Sequence, residues 1–149
     1  KFIFLFLFSA VQISQAQIKV NNGTVKHYEK FPSKLVTPRN VAVWLPDGYS
    51  KKNKYSVLYM HDGQMLFDST STWNKQEWKA DEVAGALMAA KKTQKFIIVG
   101  ISSIAEIRHS DYFPEKPFYL LANKQRDSLY EKQRSENNPL FGAAVNSDN

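Results

Sequence analysis

Two short apolar runs restrict this fold more than any other feature: Tyr55–Met60 and Lys95–Ile101, separated by 34 residues. A strand open to water on one side alternates apolar and polar residues, so an uninterrupted run predicts a strand covered on both faces. Between the runs, Val83, Ala84, Leu87 and Met88 recur at the spacing of one helix face within Asp81–Ala90. Asp81 and Glu82 open that segment and Lys91 and Lys92 follow it, the charge order a helix dipole favours. Gly85 weakens the helix slightly. Strand, helix, strand with continuous apolar strands is a βαβ unit of a parallel sheet.

Ahead of this unit, Asn21-Asn22-Gly23 is a turn signal, and Thr24–Phe31 alternates weakly, as an edge strand does. Asn22-Gly23-Thr24 also matches a glycosylation sequon, but the turn is the favoured meaning. Arg39–Leu45 is a second strand closed by Pro46-Asp47-Gly48-Tyr49, so the two suggest an antiparallel hairpin with long connections. After Ser102 the chain reads as loop through Pro114 and Pro117, then as a charged stretch from Tyr119 to Asn138 that suits a helix ending before Pro139. Two parallel strands make a poor finished sheet, so the pattern reads as the front part of a larger domain.

The N-terminus bears on the compartment. Lys1 precedes the apolar Phe2–Phe8, and Ser14-Gln15-Ala16 is a small-x-small cleavage signature ahead of Gln17. The apolar stretch falls short of the roughly 20 residues that span a bilayer. Residues 1–16 are therefore expected to be a removed export signal, with 17–149 the mature part, periplasmic or secreted and bacterial. No cysteine is present, which excludes disulfides, thiolate catalysis and the acylated cysteine of a lipoprotein, so no stable membrane anchor is expected. The composition, 43% hydrophobic and 23% charged, is that of a globular chain and not a disordered one. The net charge of +6 sits in lysine clusters at 51–54 and 91–95 without an aromatic-interleaved basic stripe, so a nucleic-acid partner is not expected.

Candidate chemistry narrows quickly. His27, His61 and His109 are far apart and form no HxxH or HExxH unit, and neighbours such as His61 and Asp62 point to opposite faces of a strand, so no metal is expected. Ser102 follows Gly100-Ile101 at a strand end, but a nucleophile elbow needs G-x-S-x-G, and Ile104 occupies the second glycine position. The remaining signal is His61-Asp62-Gly63-Gln64, at the end of a buried strand, where α/β folds place their sites. Gly63 permits a turn closed to other residues and the near approach of a substrate, and the Gln64 N–H is then aimed at the cleft. Such an amide suits an oxyanion in acyl transfer; a purely structural turn capped by Asp62 is the other reading.

Five segments in register carry a resemblance: RNVAVWLPDGY (39–49), YSVLYMHDGQMLFD (55–68), EWKADE (77–82), FIIVGI (96–101) and RHSDYFP (108–114). Together they resemble the putative-esterase (esterase D-like) family of α/β-hydrolases, which includes carbohydrate acyl esterases and siderophore esterases. The resemblance implies an α/β class, the N-terminal part of an α/β-hydrolase fold, with antiparallel first strands followed by a βαβ parallel sheet. It also implies a Ser-His-acid triad, no cofactor, and a small-molecule or carbohydrate ester as substrate.

By position, Gly63 and Gln64 match the family's oxyanion loop, with Gln64 contributing its backbone N–H, while His61 and Asp62 shape the loop. Arg108 and Tyr112 match an R-x-x-x-Y-x-P element and serve either as a structural anchor or as a substrate contact. Trp73 and Trp78 flank the loop and either stack on substrate or pack in the core. Relatives often carry asparagine after the Gly-Ile of the fourth strand, where this chain has Ser102-Ser103. The family's nucleophile, acid and histidine come later than any residue here, so the triad is expected to lie outside this chain, which alone should be inactive. The rival expectation is a non-catalytic secreted binding module. N-terminal sequencing of the exported protein should begin at Gln17; recovery of intact residues 1–16 would refute the export signal.

Overall fold

The computed structural model describes residues 18–113 and 115–135. The expected export signal and Pro139 lie outside them. Four strands form one mixed sheet in the order β1-β2-β4-β3: β1 (Thr24–Phe31), β2 (Arg39–Leu45), β3 (Ser56–His61) and β4 (Phe96–Ile101). β1 and β2 are antiparallel, from Thr24 opposite Leu45 to Phe31 opposite Arg39, with an irregularity after Tyr28. β2 is antiparallel to β4, and β3 runs parallel to β4 with Ser56 opposite Phe96 and His61 opposite Ile101. Antiparallel first strands and a βαβ parallel unit are the α/β arrangement that the sequence predicts.

Helix α1 (Ala80–Ala89) is the crossover between β3 and β4. It covers one face of the sheet, where Ala42, Trp44, Leu66, Phe67, Ala84 and Ile98 form the buried core. Gly85 leaves α1 intact because it gives room to a neighbour: a Cβ there would lie 2.9 Å from Cγ of Asn22. The sequon asparagine thus packs on α1, beside the turn made by Gly23 at φ 72°. The helix ends with Lys91 in the left-handed region, where the Lys91 N–H donates to Met88 O and the Lys92 N–H to Leu87 O, satisfying two terminal carbonyls.

Two buried carboxylates tie the segment before β1 to this core. Asp81, fully buried in the first turn of α1, accepts the N–H groups of Asn21 (2.7 Å) and Asn22 (3.2 Å). Asp68 accepts the Lys19 N–H at 2.9 Å and caps the short turn Ser69–Ser71 through the Thr70 N–H. Burial, reinforced by neighbouring Glu82, raises the pKa of Asp81. The Trp44 indole donates to Asn22 O at 2.6 Å, giving the buried ring its polar partner.

Two expectations are corrected. Among the described residues β3 is not covered on both faces: it is a sheet edge, and Val57 and Tyr59 are 43% and 69% exposed. An apolar run reports what a strand prefers to be covered by, not where it lies in the sheet. Nor is the stretch from Ser102 through Pro117 all loop, whereas the charged stretch after it holds the expected helix. A 3-10 turn at Ala105–Ile107 leads into α2 (Arg108–Tyr112), followed by α3 (Glu115–Tyr119) and α4 (Asn123–Ser135). Pro117 falls in the first turn of α3, where its missing N–H would have no acceptor. Phe118 is buried, stacked edge-on with Phe113 and Tyr130, which joins these helices.

Gly63 meets β4 backbone to backbone: a Cβ on Gly63 would lie 2.5 Å from the carbonyl carbon of Gly100. Gly63→Ala should therefore cost about 1–3 kcal/mol as an overpacked site. Urea denaturation would show this as a lowered midpoint, and an unchanged midpoint would contradict the contact.

Candidate functional site

The site grows from the end of β3. His61 closes the strand, Asp62 turns the chain at φ 52°, ψ 45°, and Gly63–Met65 form one 3-10 turn. The sequence assigns the unusual backbone to Gly63; the structure assigns it to Asp62, a residue type that tolerates the left-handed region better than most. Gly63 is needed for closeness instead, and the neighbour that comes close is the backbone of β4. Gly100 reciprocates: a Cβ there would meet Cδ1 of Leu66 at 2.6 Å and Cα of Gly63 at 3.1 Å. Facing glycines thus seat the turn directly on β4, at the end of the parallel pair.

Asp62 is buried and does not cap the turn with its side chain. Its carboxylate takes a two-pronged pair from Arg108, with Nε to Oδ1 at 2.9 Å and Nη2 to Oδ2 at 2.7 Å. The Arg108 guanidinium holds Asp62 far below the ordinary carboxylate range, at about 2, against the upward push of burial. Arg108 also lies 4.8 Å over the Tyr112 ring, whose edge-on partner is His61 at 5.3 Å. Burial, and then the Asp62 charge, pushes the Tyr112 hydroxyl above its usual range. Arg108 and Tyr112, four residues apart on α2, therefore converge on the residues just before the turn.

Within the 3-10 turn the first bond is Met65 N–H to Asp62 O at 2.8 Å, so the N–H groups of Gly63 and Gln64 precede it and have no acceptor inside the turn. The Gln64 side chain is exposed and pairs with Ser103. Its amide donates from Nε2 to Ser103 Oγ at 2.8 Å, and its Oε1 accepts the Ser103 N–H at 3.1 Å. Ser102 is fixed by its own N–H, which donates to Asn40 O at 2.9 Å. A cavity of about 320 Å³ opens beside Gly63 and Gln64, walled by Ile18, His27, Glu29 and Asn40. A second, about 390 Å³ and mostly apolar, lies on the other face among Phe31, Val36, Val41, His61, Ile101 and Tyr112. Ser102 borders both.

Trp73 and Trp78 are 87% and 51% exposed, which corrects the core-packing alternative for both. Neither lines either cavity. Gly63, Gln64, Arg108 and Tyr112 are brought together; Trp73 is not drawn into their contacts. Ser103 and Gly100 are the residues that sequence reasoning passed over. Gly100, a glycine inside an otherwise apolar strand, carried the signal of a close backbone approach. Ser103 stood out only as part of Ser102-Ser103, where relatives often carry asparagine, and no role was assigned to it.

An α/β sheet with a backbone-donor turn at the end of a parallel strand defines the class. The family follows from comparison: the model of the family described as "Putative esterase" matches residues 33–133, and the chain belongs to that family. Among solved structures it is similar to the CE1 ferulic acid esterase of the anaerobic fungus Anaeromyces mucronatus. In the ferulic acid complex the identity is 21%, with 81% of this chain and 46% of that one covered, at a TM-score of 0.43. In the substrate-free form it is 20%, with 86% and 47% covered, at 0.40. The chain therefore spans a little under half the length of those enzymes.

Because the folded-state pKa of Asp62 lies below the ordinary 3.8, folding favours its ionised form. That stabilisation is complete above about pH 4 and is lost as pH falls through the folded value near 2. Asp62→Asn should therefore lower the urea midpoint most near pH 6, with the gap from the parent closing between pH 4 and 2. A gap independent of pH would contradict the ion pair.

Proposed function

We propose that this chain carries the oxyanion-binding part of an exported serine esterase that cleaves carboxylic esters through an acyl-enzyme. The observation that carries this reading is the turn Gly63–Met65. It presents backbone donors at the C-terminal end of a parallel strand and is locked there from three sides. Family membership supports ester hydrolysis in general.

In the reaction, a serine supplied outside these residues attacks the ester carbonyl while a histidine accepts its proton. The carbonyl oxygen becomes an anion, and the Gln64 N–H donates to it; collapse expels the alcohol and leaves the acyl-enzyme, which water then hydrolyses. A backbone donor suits this step because it is already oriented and needs no reorganisation as charge develops. Arg108 and Tyr112 act here as anchors of the turn, since the guanidinium is committed to Asp62. An acylated carbohydrate is the proposed substrate, and a siderophore ester the second choice.

Proline has no N–H, and its fixed φ is compatible with a helical turn, so Gln64→Pro removes that donor together with the side chain's pair to Ser103. In the complete protein it should lower kcat for p-nitrophenyl acetate by roughly 10²–10³. Undiminished turnover in a folded variant would remove Gln64 from the mechanism. The coding sequence is a second check: a frame that continues past codon 149 into G-x-S-x-G supports the esterase, and a stop codon directly after Asn149 favours the non-catalytic binding module.

A further inference from the structure

The turn that carries the Gln64 N–H needs a fixed orientation, because a donor displaced by about 1 Å loses much of its effect on a developing charge. Two of its ties act on neighbours: the Asp62 pair with Arg108 and the seat of Gly63 on Gly100. A third acts on Gln64 itself. Ser103, in the segment after β4, makes a reciprocal pair with the Gln64 side chain, accepting from Nε2 at 2.8 Å and donating its N–H to Oε1 at 3.1 Å. Two bonds in opposite directions fix both the position of the amide group and its rotation. They close a loop that runs from the Gln64 backbone, through its side chain, to the strand on which Gly63 rests.

We propose that Ser103 is a positioning residue of the oxyanion turn, and that the Gln64 side chain is a strut holding its own backbone N–H on target and not a substrate ligand. This rests on the esterase reading for its catalytic consequence, but the strut is a property of the folded chain alone. A serine that contacted substrate would govern binding; one that orients a transition-state donor governs kcat.

The test compares the complete protein with Ser103→Ala, Ser103→Thr, Gln64→Ala and the Ser103→Ala/Gln64→Ala double variant, in p-nitrophenyl acetate turnover and in hydrogen exchange of a peptide spanning residues 60–68. Ser103→Ala is expected to lower kcat by about tenfold with KM within twofold, and to speed exchange in that peptide. Ser103→Thr, which keeps the hydroxyl, should recover most of the loss. The double variant should lose clearly less than the sum of the two single losses, since both residues serve one pair while Ser103 also bonds Asp62. A raised KM at constant kcat, additive losses in the double variant, or unchanged kcat in Ser103→Ala would each overturn the proposal. If the parent protein turns over no ester, the esterase reading fails. Exchange then decides the strut alone: faster exchange in Ser103→Ala supports it, and unchanged exchange overturns it.

Discussion

The structure depends first on the contact between Gly63 and Gly100. A single methyl group on either would be driven into backbone or into Leu66, so the residues after β3 can lie on β4 only because both positions lack a side chain. That contact brings the amides of Gly63 and Gln64 to the end of the parallel pair. It also places Leu66 and Phe67 into the core beside Trp44 and Ile98. The same few residues therefore close the hydrophobic core and open the cleft, and the core's rigidity passes directly to the donors.

Around that contact, charge is used for fastening. Asp62 is held by Arg108, Asp68 by the Lys19 and Thr70 amides, and Asp81 by the amides of Asn21 and Asn22. Each carboxylate is buried and would be costly without donors, so each specifies where its partner must lie. Two of them pull the segment ahead of β1 across the core. One result is that Ile18 becomes a wall of the cavity beside Gln64. The lysine clusters, by contrast, stay at the surface, although Lys95 reaches Asp47 O at 2.6 Å.

Much of the fold was legible in the chain. Thr24–Phe31, Arg39–Leu45 and the helix between the apolar runs were readable because period and punctuation are local properties. Location within the sheet was less so. β3 and β4 have equally apolar sequences, yet one is an edge and the other is flanked on both sides, which depends on pairing and not on composition. α2 and α3 were hidden because short helices beside prolines carry too few periodic residues to register. At the site, Asp62-Gly63-Gln64 stood out, but the left-handed residue was assigned to glycine by propensity, when the aspartate adopts it under the hold of Arg108.

The sequence by itself determined the α/β class, the register of apolar runs and the location of a donor-bearing turn after the third strand, because alternation, helical spacing and glycine placement are set by neighbouring residues. Only the tertiary structure decided which partners hold that turn. Arg108 lies 46 residues from Asp62, and Ser103 lies 39 from Gln64. Such pairs form when a parallel crossover brings two strand ends side by side, and nothing local in a serine or an arginine announces which distant group it will meet.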